Sequence, residues 1–299
     1  MNDYFIDFFE KYNYPKEAIN DLLSSYQTLL SNQEAYSVFT SFIKQYEVDD
    51  SFVIKSCYEQ LEEIAKITNL SSYTIYLLFF LSLSKITKEK YIAKNYSIEI
   101  FDETMADLKY KMMECYQLHN VYGNCVPWWE DGFFQLTRVG LGRLQYELIE
   151  NDTTLVISGH LISSGDTVIN MHIPSSGPLT VEDCMDSLRK AEMFYKENFK
   201  DRPTVFVCHS WLLFPYHLEF LPKNSNILNF LKLFTIYNTE YDEKYSDLWR
   251  IFYKDANKLI PELPRTTSLQ RAYADWLLKE KPVGCGKGIF LFQDGRILC

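Results

Sequence analysis

The chain has 299 residues, of which 47% are hydrophobic and 23% are charged, so it can bury a substantial core and is not a disordered protein. Its 40 acidic and 30 basic residues give a formal net charge of −10, and the sequence has no strong basic cluster. A general nucleic-acid-binding protein needs a basic face for the phosphates, so we expect no nucleic-acid partner.

The N-terminal residues do not resemble a targeting signal. They carry Asp3, Asp7 and Glu10 and lack the basic start and apolar stretch of a signal peptide. The most apolar run, Ile75–Leu83, is much shorter than the roughly 20 residues that span a membrane. Seven cysteines are scattered without a CxxC pair, which is typical of reduced thiols. We therefore expect a cytoplasmic protein without a membrane partner.

Glycine, proline and arginine are distributed unevenly along the chain. All 11 glycines lie at or after Gly123, nine of the ten prolines at or after Pro127, and all eight arginines at or after Arg138. Because glycine and proline mark turns, the composition predicts a domain of long helices over residues 1–125 and a second domain over residues 126–299.

Apolar residues spaced three and four apart predict five helices in the first domain. These helices are expected near residues 16–30, 32–46, 50–67, 71–86 and 98–118. Side chains suited to capping their first turns are Asp50 or Ser51, Ser71 or Ser72, and Ser97.

The second domain is predicted to combine strands and helices. Strands are expected at residues 141–149, 155–161, 167–173 and 204–209, with a hairpin over 288–298 around Asp294 and Gly295. Helices are expected at residues 180–199, 223–233 and 268–278. The turn residues 163–166 predict a hairpin between the second and third strands. This order is typical of an α/β or α+β domain that follows an all-α domain.

One strand–loop–helix segment has features of an anion site. Residues 170–184 read NMHIPSSGPLTVEDC, with Gly177 in the loop and Thr180 and Asp183 placed to cap the helix. A helix start after such a loop presents backbone N–H groups to a phosphate. An ordinary capped turn is the alternative, because the segment matches neither common phosphate-binding glycine motif.

Five segments carry a family resemblance. They read LGRLQYE (141–147), HIPSSGPLT (172–180), CHSWLLFP (208–215), LPKNSNI (221–227) and LPRTTSLQRA (263–272). Together with the strand order, they resemble a bacterial acyltransferase-like family that joins a helical N-terminal domain to a C-terminal domain of the GNAT superfamily of N-acyltransferases. The resemblance implies an α+β chain whose second domain has a mixed, mostly antiparallel sheet.

The resemblance also implies a co-substrate, acetyl-CoA or another acyl-CoA, and residues that bind it. The strand residues Met171, His172 and Ile173 would pair with the pantetheine arm. Backbone N–H groups of the loop would surround the pyrophosphate; the loop residues concerned are Ser175, Ser176, Gly177, Leu179 and Thr180. The usual GNAT loop has a second glycine, and here Leu179 occupies that position.

Three residues are candidates for general acid–base catalysis. His209 is expected where two strands separate, and an imidazole titrates near neutral pH; the alternative is a packed histidine. His172 is the second candidate, with a structural or coenzyme-contacting role as its alternative. Glu147 would be a carboxylate base, unless it lies on a solvated strand face.

The remaining polar candidates have ordinary structural explanations. Cys208 is expected to be buried rather than to act with its neighbour His209, because adjacent strand residues point to opposite faces. The five histidines show no metal-ligand spacing, so no metal is predicted. The glycine-rich segment 284–288 is predicted to be a flexible turn.

Aromatic and basic side chains supply further candidates for the acceptor and coenzyme sites. Trp128 and Trp129, beside Glu130 and Asp131, would line an acceptor pocket or pack between domains. Three arginines would contact the coenzyme phosphates or an anionic acceptor; they are Arg143, Arg265 and Arg271. For Arg271, on a predicted helix, a surface salt bridge is the alternative.

The resulting hypothesis is an acyltransferase. It would move an acetyl or other acyl group from acyl-CoA to an amine or hydroxyl of a small-molecule acceptor by direct transfer. The alternative is a non-catalytic GNAT-derived module that binds coenzyme A or another small ligand.

Overall fold

The computed structural model describes residues 1–200, 202–244 and 246–298, and the chain divides into two compact units. The units are Met1–Val139 and Gly140–Cys299. The predicted domain limits, 1–125 and 126–299, follow the change in composition. The boundary between the compact units lies later in the sequence, between Val139 and Gly140. The difference arises because one more helix, Pro127–Phe134, belongs to the first unit.

The first unit is helical, as predicted. Its described α-helices are α1 (Asn2–Lys11), α2 (Lys16–Ser31), α3 (Gln33–Val48), α4 (Tyr58–Thr68), α5 (Ser72–Ala93), α6 (Ile98–His119) and α7 (Pro127–Phe134). A short 3₁₀ turn, Ile54–Cys57, precedes α4.

Helix α5 is the centre of the first unit. Every residue from 74 to 84 is buried, so this stretch has no exposed face and is enclosed by other helices. Helices α2, α3, α4, α6 and α7 pack against it. Of the helices that the structure describes, none is by itself long and apolar enough to cross a membrane. Only the pair Ile54–Thr68 and Ser72–Ala93, bent by 119°, meets that criterion together.

Asparagine ends several of these helices in place of glycine. Asn69 and Asn120, the C-caps of α4 and α6, have φ values of 53° and 57°. Asn13 and Asn95, which follow α1 and α5, are also left-handed. Asparagine tolerates this conformation better than other residues with a Cβ, so long helices can end within a sequence that lacks glycine.

The predicted caps are partly correct. Ser71 and Ser97 cap α5 and α6 through their side chains. The prediction of Asp50 or Ser51 as a cap was wrong, because α4 begins at Tyr58, after the 3₁₀ turn. The Asp49 side chain accepts hydrogen bonds from Ser51 instead, within a separate turn.

The second unit combines a sheet with helices. Its strands are β1 (Arg138–Leu141, which begins in the first unit), β2 (Leu144–Glu150), β3 (Leu155–Ile157), β4 (His160–Ile162), β5 (Thr167–His172), β6 (Thr204–Ser210), β7 (Thr235–Tyr241), β8 (Gly284–Gln293) and β9 (Arg296–Leu298). Its described α-helices are α8 (Val181–Phe194), α9 (His217–Phe220), α10 (Asn226–Leu231), α11 (Trp249–Phe252) and α12 (Ser268–Leu277).

Seven strands form one mixed sheet in the order β1-β2-β5-β6-β8-β7, with β9 added beside β8. The pairings of β2 with β5, β6 with β8, β7 with β8 and β8 with β9 are antiparallel. Strands β5 and β6 are parallel. The predicted fold class, an all-α region followed by a mixed and mostly antiparallel sheet, is confirmed.

Three strand predictions differ from the structure. Residues 141–149 do not form one strand, because Gly142 and Arg143 turn the chain between β1 and β2. Residues 155–161 fold back as a two-stranded hairpin of β3 and β4. The hairpin predicted at residues 163–166 was wrong, because β5 pairs with β2 rather than with β4.

The glycine-rich segment 284–288 is the start of strand β8, so the prediction of a flexible turn was wrong. A Cβ at Gly284 would lie 2.0 Å from the Glu240 carbonyl oxygen, and one at Gly286 would lie 2.1 Å from the Leu213 carbonyl oxygen. These glycines therefore allow two backbone segments to approach the strand.

We expect Gly286→Ala to destabilise the protein by about 3 kcal/mol, because its Cβ would overlap the backbone carbonyl of Leu213, so that one of the two backbone segments must shift. Gly159→Ala is the matched control, since Gly159 has a φ of 79° and nothing lies within 4 Å of its ideal Cβ. That variant should lose only about 1 kcal/mol through backbone strain. Urea unfolding measures both values, and equal losses would contradict this account of β8.

Candidate active site

Strands β5 and β6 separate soon after they meet. Their parallel pairing comprises Ile169 with Phe206 and Asn170 with Val207. Beyond these pairs, β5 continues along β2, and β6 continues along β8 to Ser210. The strands thus form a fork, with His172 on one arm and His209 on the other. His209 therefore lies where two strands separate, as expected from the sequence.

Glu147, Asn170 and His172 form a hydrogen-bonded cluster on the β5 side of the fork. Glu147 is directly opposite Asn170 in the antiparallel register, and His172 follows two residues later on the same face. Glu147 Oε1 lies 2.7 Å from His172 Nε2 and 3.1 Å from the Asn170 amide nitrogen. The side chains of Glu147 and His172 are each 18% exposed. Glu147 therefore does not lie on a solvated strand face.

The contact with Glu147 favours one tautomer of the His172 imidazole. A carboxylate is only an acceptor, so the hydrogen bond between Glu147 and His172 assigns a proton to Nε2. The other ring nitrogen, Nδ1, is then the one that can take up a proton. A carboxylate that orients a histidine in this way is a common arrangement for general base catalysis.

His209 lies on the β6 arm in a more open and more charged setting. Its side chain is 48% exposed, and its Nε2 is 3.2 Å from Glu240 Oε2. Lys287, which pairs with His209 across β6 and β8, lies 3.5 Å from Glu240 and 3.6 Å from Asp152. His209 is therefore neither buried nor part of the Glu147 cluster.

A cleft of about 190 Å³ lies beside these groups. Its polar lining comprises Glu150, Asp152, Asn170, His209, Tyr237 and Lys287 among others. Asn170 belongs both to this lining and to the Glu147 cluster, so the cleft is adjacent to the candidate catalytic pair.

The loop that follows β5 is held by Arg143. Each of the three guanidinium nitrogens lies 2.9 Å from a loop carbonyl oxygen, namely that of Pro174, Gly177 or Pro178. Thr180 caps α8 through the Asp183 N–H group, as predicted. The arginine donors are thus directed at the protein's own loop.

The first turn of α8 also contains Glu182 and Asp183. These acids stabilise the positive end of the helix and oppose the binding of an anion there. Any phosphate group bound at this loop would therefore depend on the backbone N–H groups of the loop more than on the helix dipole.

The aromatic candidates in the first unit have local partners. Trp129 donates through Nε1 to Asp107, and the Arg138 guanidinium lies 4.0 Å from the centre of its ring. Glu130 is fully buried and accepts a hydrogen bond from Asn124. Burial, together with the nearby Asp107, raises the pKa of Glu130 well above its usual range. Trp128 is 65% exposed.

The other arginine candidates form local contacts. Arg265 pairs with Asp275 at 2.6 Å, and Arg271 donates to the carbonyl oxygens of Arg265 and Thr266. Within the described ranges, no group of three or more histidine, cysteine or acidic side chains is arranged to hold a metal ion.

The sequence did not single out Asn170, Glu240 or Lys287. Asn170 had a detectable signal, because it alternates with His172 as a second polar residue in an otherwise apolar strand. Glu240 is on β7, a strand that the sequence analysis did not predict, and Lys287 is within the segment that was predicted to be a turn.

Two family models match the chain. Residues 139–290 match the GNAT-like C-terminal domain, and this match covers half of the chain. The chain belongs to that family. Residues 3–136 match the N-acyltransferase N-terminal domain. The predicted family and the predicted enzyme class, a GNAT-like N-acyltransferase with a helical N-terminal domain, are confirmed.

Solved structures share the fold of this GNAT-family protein at low sequence identity. An acyltransferase in complex with decanoyl-CoA and teicoplanin aligns with a TM-score of 0.75 and 18% identity, over 96% of this chain and 87% of that chain. An acyltransferase in complex with CoA and 10C-teicoplanin aligns with a TM-score of 0.74 at the same identity and coverage. No curated protein sequence matches the chain significantly.

We expect the Cys208 thiol to be unreactive in the native protein. Burial raises its pKa to about 12, and its side chain is 2% exposed. Cys125 is the internal reference, because it is partly exposed and a hydrogen bond from the Cys115 thiol lowers its pKa. Iodoacetamide at pH 7.5 followed by peptide mapping should label Cys125 first. Labelling of Cys208 at the same rate would support a thiol nucleophile instead.

Proposed function

We propose that the protein transfers an acyl group from acyl-CoA to a small-molecule amine or hydroxyl by direct transfer between the two bound substrates. The observation that carries the proposal is the Glu147–His172 pair beside the fork of β5 and β6, in a chain of the GNAT-like family. The acyltransferases of the same fold that were crystallised with decanoyl-CoA or CoA support the choice of co-substrate.

The pantetheine arm lies in the fork in this proposal. The backbone of Met171, His172 and Ile173 meets it, because the pairing with β6 has ended there and an unpaired strand edge offers hydrogen bonds to an extended ligand. The pyrophosphate binds to the loop that leads into α8, at the N–H groups of Ser175, Ser176, Gly177, Leu179 and Thr180. The thioester carbon then lies between the two arms.

The acceptor enters through the cleft next to Asn170. Three carboxylates line this cleft or pair with its lining, those of Glu150, Asp152 and Glu240, against the single ammonium of Lys287. This excess of negative charge favours an acceptor whose amine arrives as an ammonium ion. A small-molecule acceptor agrees with the teicoplanin bound by the acyltransferase of the same fold.

Acyl transfer to an amine forms an N–C bond and breaks the C–S bond of the thioester. The acceptor ammonium first releases one proton to solvent, because only the neutral amine has a lone pair for the thioester carbon. His172 Nδ1 then accepts the second proton as the N–C bond forms, and Glu147 holds the ring and stabilises the imidazolium. The coenzyme leaves as a thiol after it takes up a proton. His209 on the opposite arm is the candidate for donating that proton. Most of the rate acceleration comes from holding the two bound substrates together in the correct orientation.

Coenzyme binding at the loop is tested by Gly177→Trp. Gly177 has a φ of 124° with open space around its ideal Cβ, so an indole there would project over the loop. The matched control is Gly165→Trp, since Gly165 also has a positive φ and open surroundings. Calorimetric titration with CoA and acetyl-CoA should show binding to wild type and Gly165→Trp, and none to Gly177→Trp. A wild-type protein that binds neither ligand would refute the proposal.

Catalysis by the pair is tested by His172→Gln and Glu147→Gln. Each should lower kcat about 100-fold or more, with little change in CoA affinity, because each removes a proton-transfer function. Thiol release from acyl-CoA in the presence of small primary amines gives the rate. His160→Gln is the control, because His160 is an exposed histidine on β4. Normal turnover in both variants would refute these roles.

His209→Ala should retain more activity than His172→Gln, because His209 is exposed and paired with Glu240 rather than held within the cluster. Binding of CoA without thiol release in any acceptor mixture would favour the non-catalytic module.

A further inference from the structure

Arg143 occupies an unusual position relative to the proposed coenzyme loop. All three of its guanidinium nitrogens donate to backbone carbonyl oxygens of that loop, each at 2.9 Å. The acceptors belong to Pro174, Gly177 and Pro178, so one side chain joins the beginning and the end of the segment. A planar guanidinium can serve three such acceptors because its donors have a fixed fork geometry.

The sheet register brings Arg143 to the loop. Gln145 pairs with His172 at the end of the β2–β5 ladder, so Arg143, two residues earlier, is next to Pro174. The turn that carries Arg143 is also tied to α8. The Leu144 N–H group donates to Ser187 Oγ at 3.1 Å, and that hydroxyl donates to the Leu141 carbonyl oxygen. The guanidinium is therefore presented from a rigid support.

Holding the carbonyl groups determines the direction of the N–H groups. In a trans peptide, the C=O and the N–H of the same unit point in opposite directions. Because the Pro174 and Pro178 carbonyls point at Arg143, the N–H groups of Ser175 and Leu179 point away from it. The peptide after Gly177 has no N–H, since the next residue is Pro178.

These N–H groups are available to a ligand. In the parts of the chain that the structure describes, no atom accepts a hydrogen bond from the N–H of Ser175, Ser176, Gly177 or Leu179. A loop whose carbonyls are bonded on one side and whose N–H groups are unused on the other presents a polarised surface to an anion.

We propose that Arg143 is a positioning residue that turns the N–H groups of Ser175 and Leu179 toward the pyrophosphate of the coenzyme. This inference rests on the proposed function, because it specifies how the same loop binds its ligand. It differs from direct contact between the guanidinium and a phosphate. In a direct contact, the charge of Arg143 matters most. In the positioning role, the three-pronged shape of the side chain matters, and the charge alone is not sufficient.

Arg143→Lys separates the two roles. Lysine keeps the positive charge but has a single nitrogen, which does not reach three carbonyls in the geometry of a guanidinium. We expect this variant to bind CoA about tenfold or more weakly than wild type, while its affinity for S-acetyl-pantetheine, which lacks the pyrophosphate, changes by less than about twofold. Arg143→Ala should show the same selective loss of CoA affinity as Arg143→Lys. Its CoA affinity should recover when ethylguanidinium is added.

Arg189→Lys is the matched control. Arg189 is on α8, more than two turns beyond the loop, and its exposed side chain pairs with Asp186 at 2.5 Å. The Arg189→Lys variant should bind CoA and S-acetyl-pantetheine with wild-type affinity. We would measure the affinities of all variants for the two ligands by calorimetry, together with their melting temperatures.

Each outcome distinguishes the inference from the proposed function. Wild-type CoA affinity in Arg143→Lys would overturn the positioning role and leave the proposed function intact. Equal weakening of CoA and S-acetyl-pantetheine would also overturn it, because general damage to the fork would then be the cause. Failure of the wild-type protein to bind CoA would refute the proposed function and this inference together.

Discussion

The short parallel contact between β5 and β6 determines the architecture of the site. Strand β5 is held by six residue pairs to β2, and β6 is held by seven to β8, but the two strands share only two pairs with each other. Each arm of the fork is thus stabilised by its outer neighbour. Because each strand follows its outer neighbour beyond the two shared pairs, a gap opens between the arms and leaves room for an extended ligand.

The fold was predictable where the determining signals are local. Thr180 caps α8 as the sequence indicated, because a cap depends on residues within one turn. Strand β7 was not predicted, since its sequence TIYNTEY mixes polar and apolar residues without strict alternation and pairs only along β8. Segment 284–288 was predicted to be a turn, because glycine marks turns in most sequences, but it begins strand β8. Here glycine makes room for neighbouring backbones, and only the tertiary structure reveals that need.

The candidate site was predictable as a set of residues but not as an arrangement. Glu147 and His172 were both named, yet they are 25 positions apart, and only the register of β2 against β5 brings them within a hydrogen bond. The same register explains why Glu147 is not on a solvated face. His209 was the first candidate for the acid or base; its side chain is 48% exposed and its Nε2 lies 3.2 Å from Glu240 Oε2, and no sequence pattern indicated Glu240 as its neighbour.

The loop between Pro174 and Pro178 has a consequence for the kinetics of ligand binding. Two prolines fix φ at its ends, and three of its carbonyl groups already accept hydrogen bonds from Arg143. The conformational entropy of arranging this segment is therefore lost when the chain folds, not when a ligand arrives. An anion that reaches the loop has no slow rearrangement to wait for. Its association rate should then vary with solvent viscosity and ionic strength, as it does for a diffusional encounter with a preformed surface.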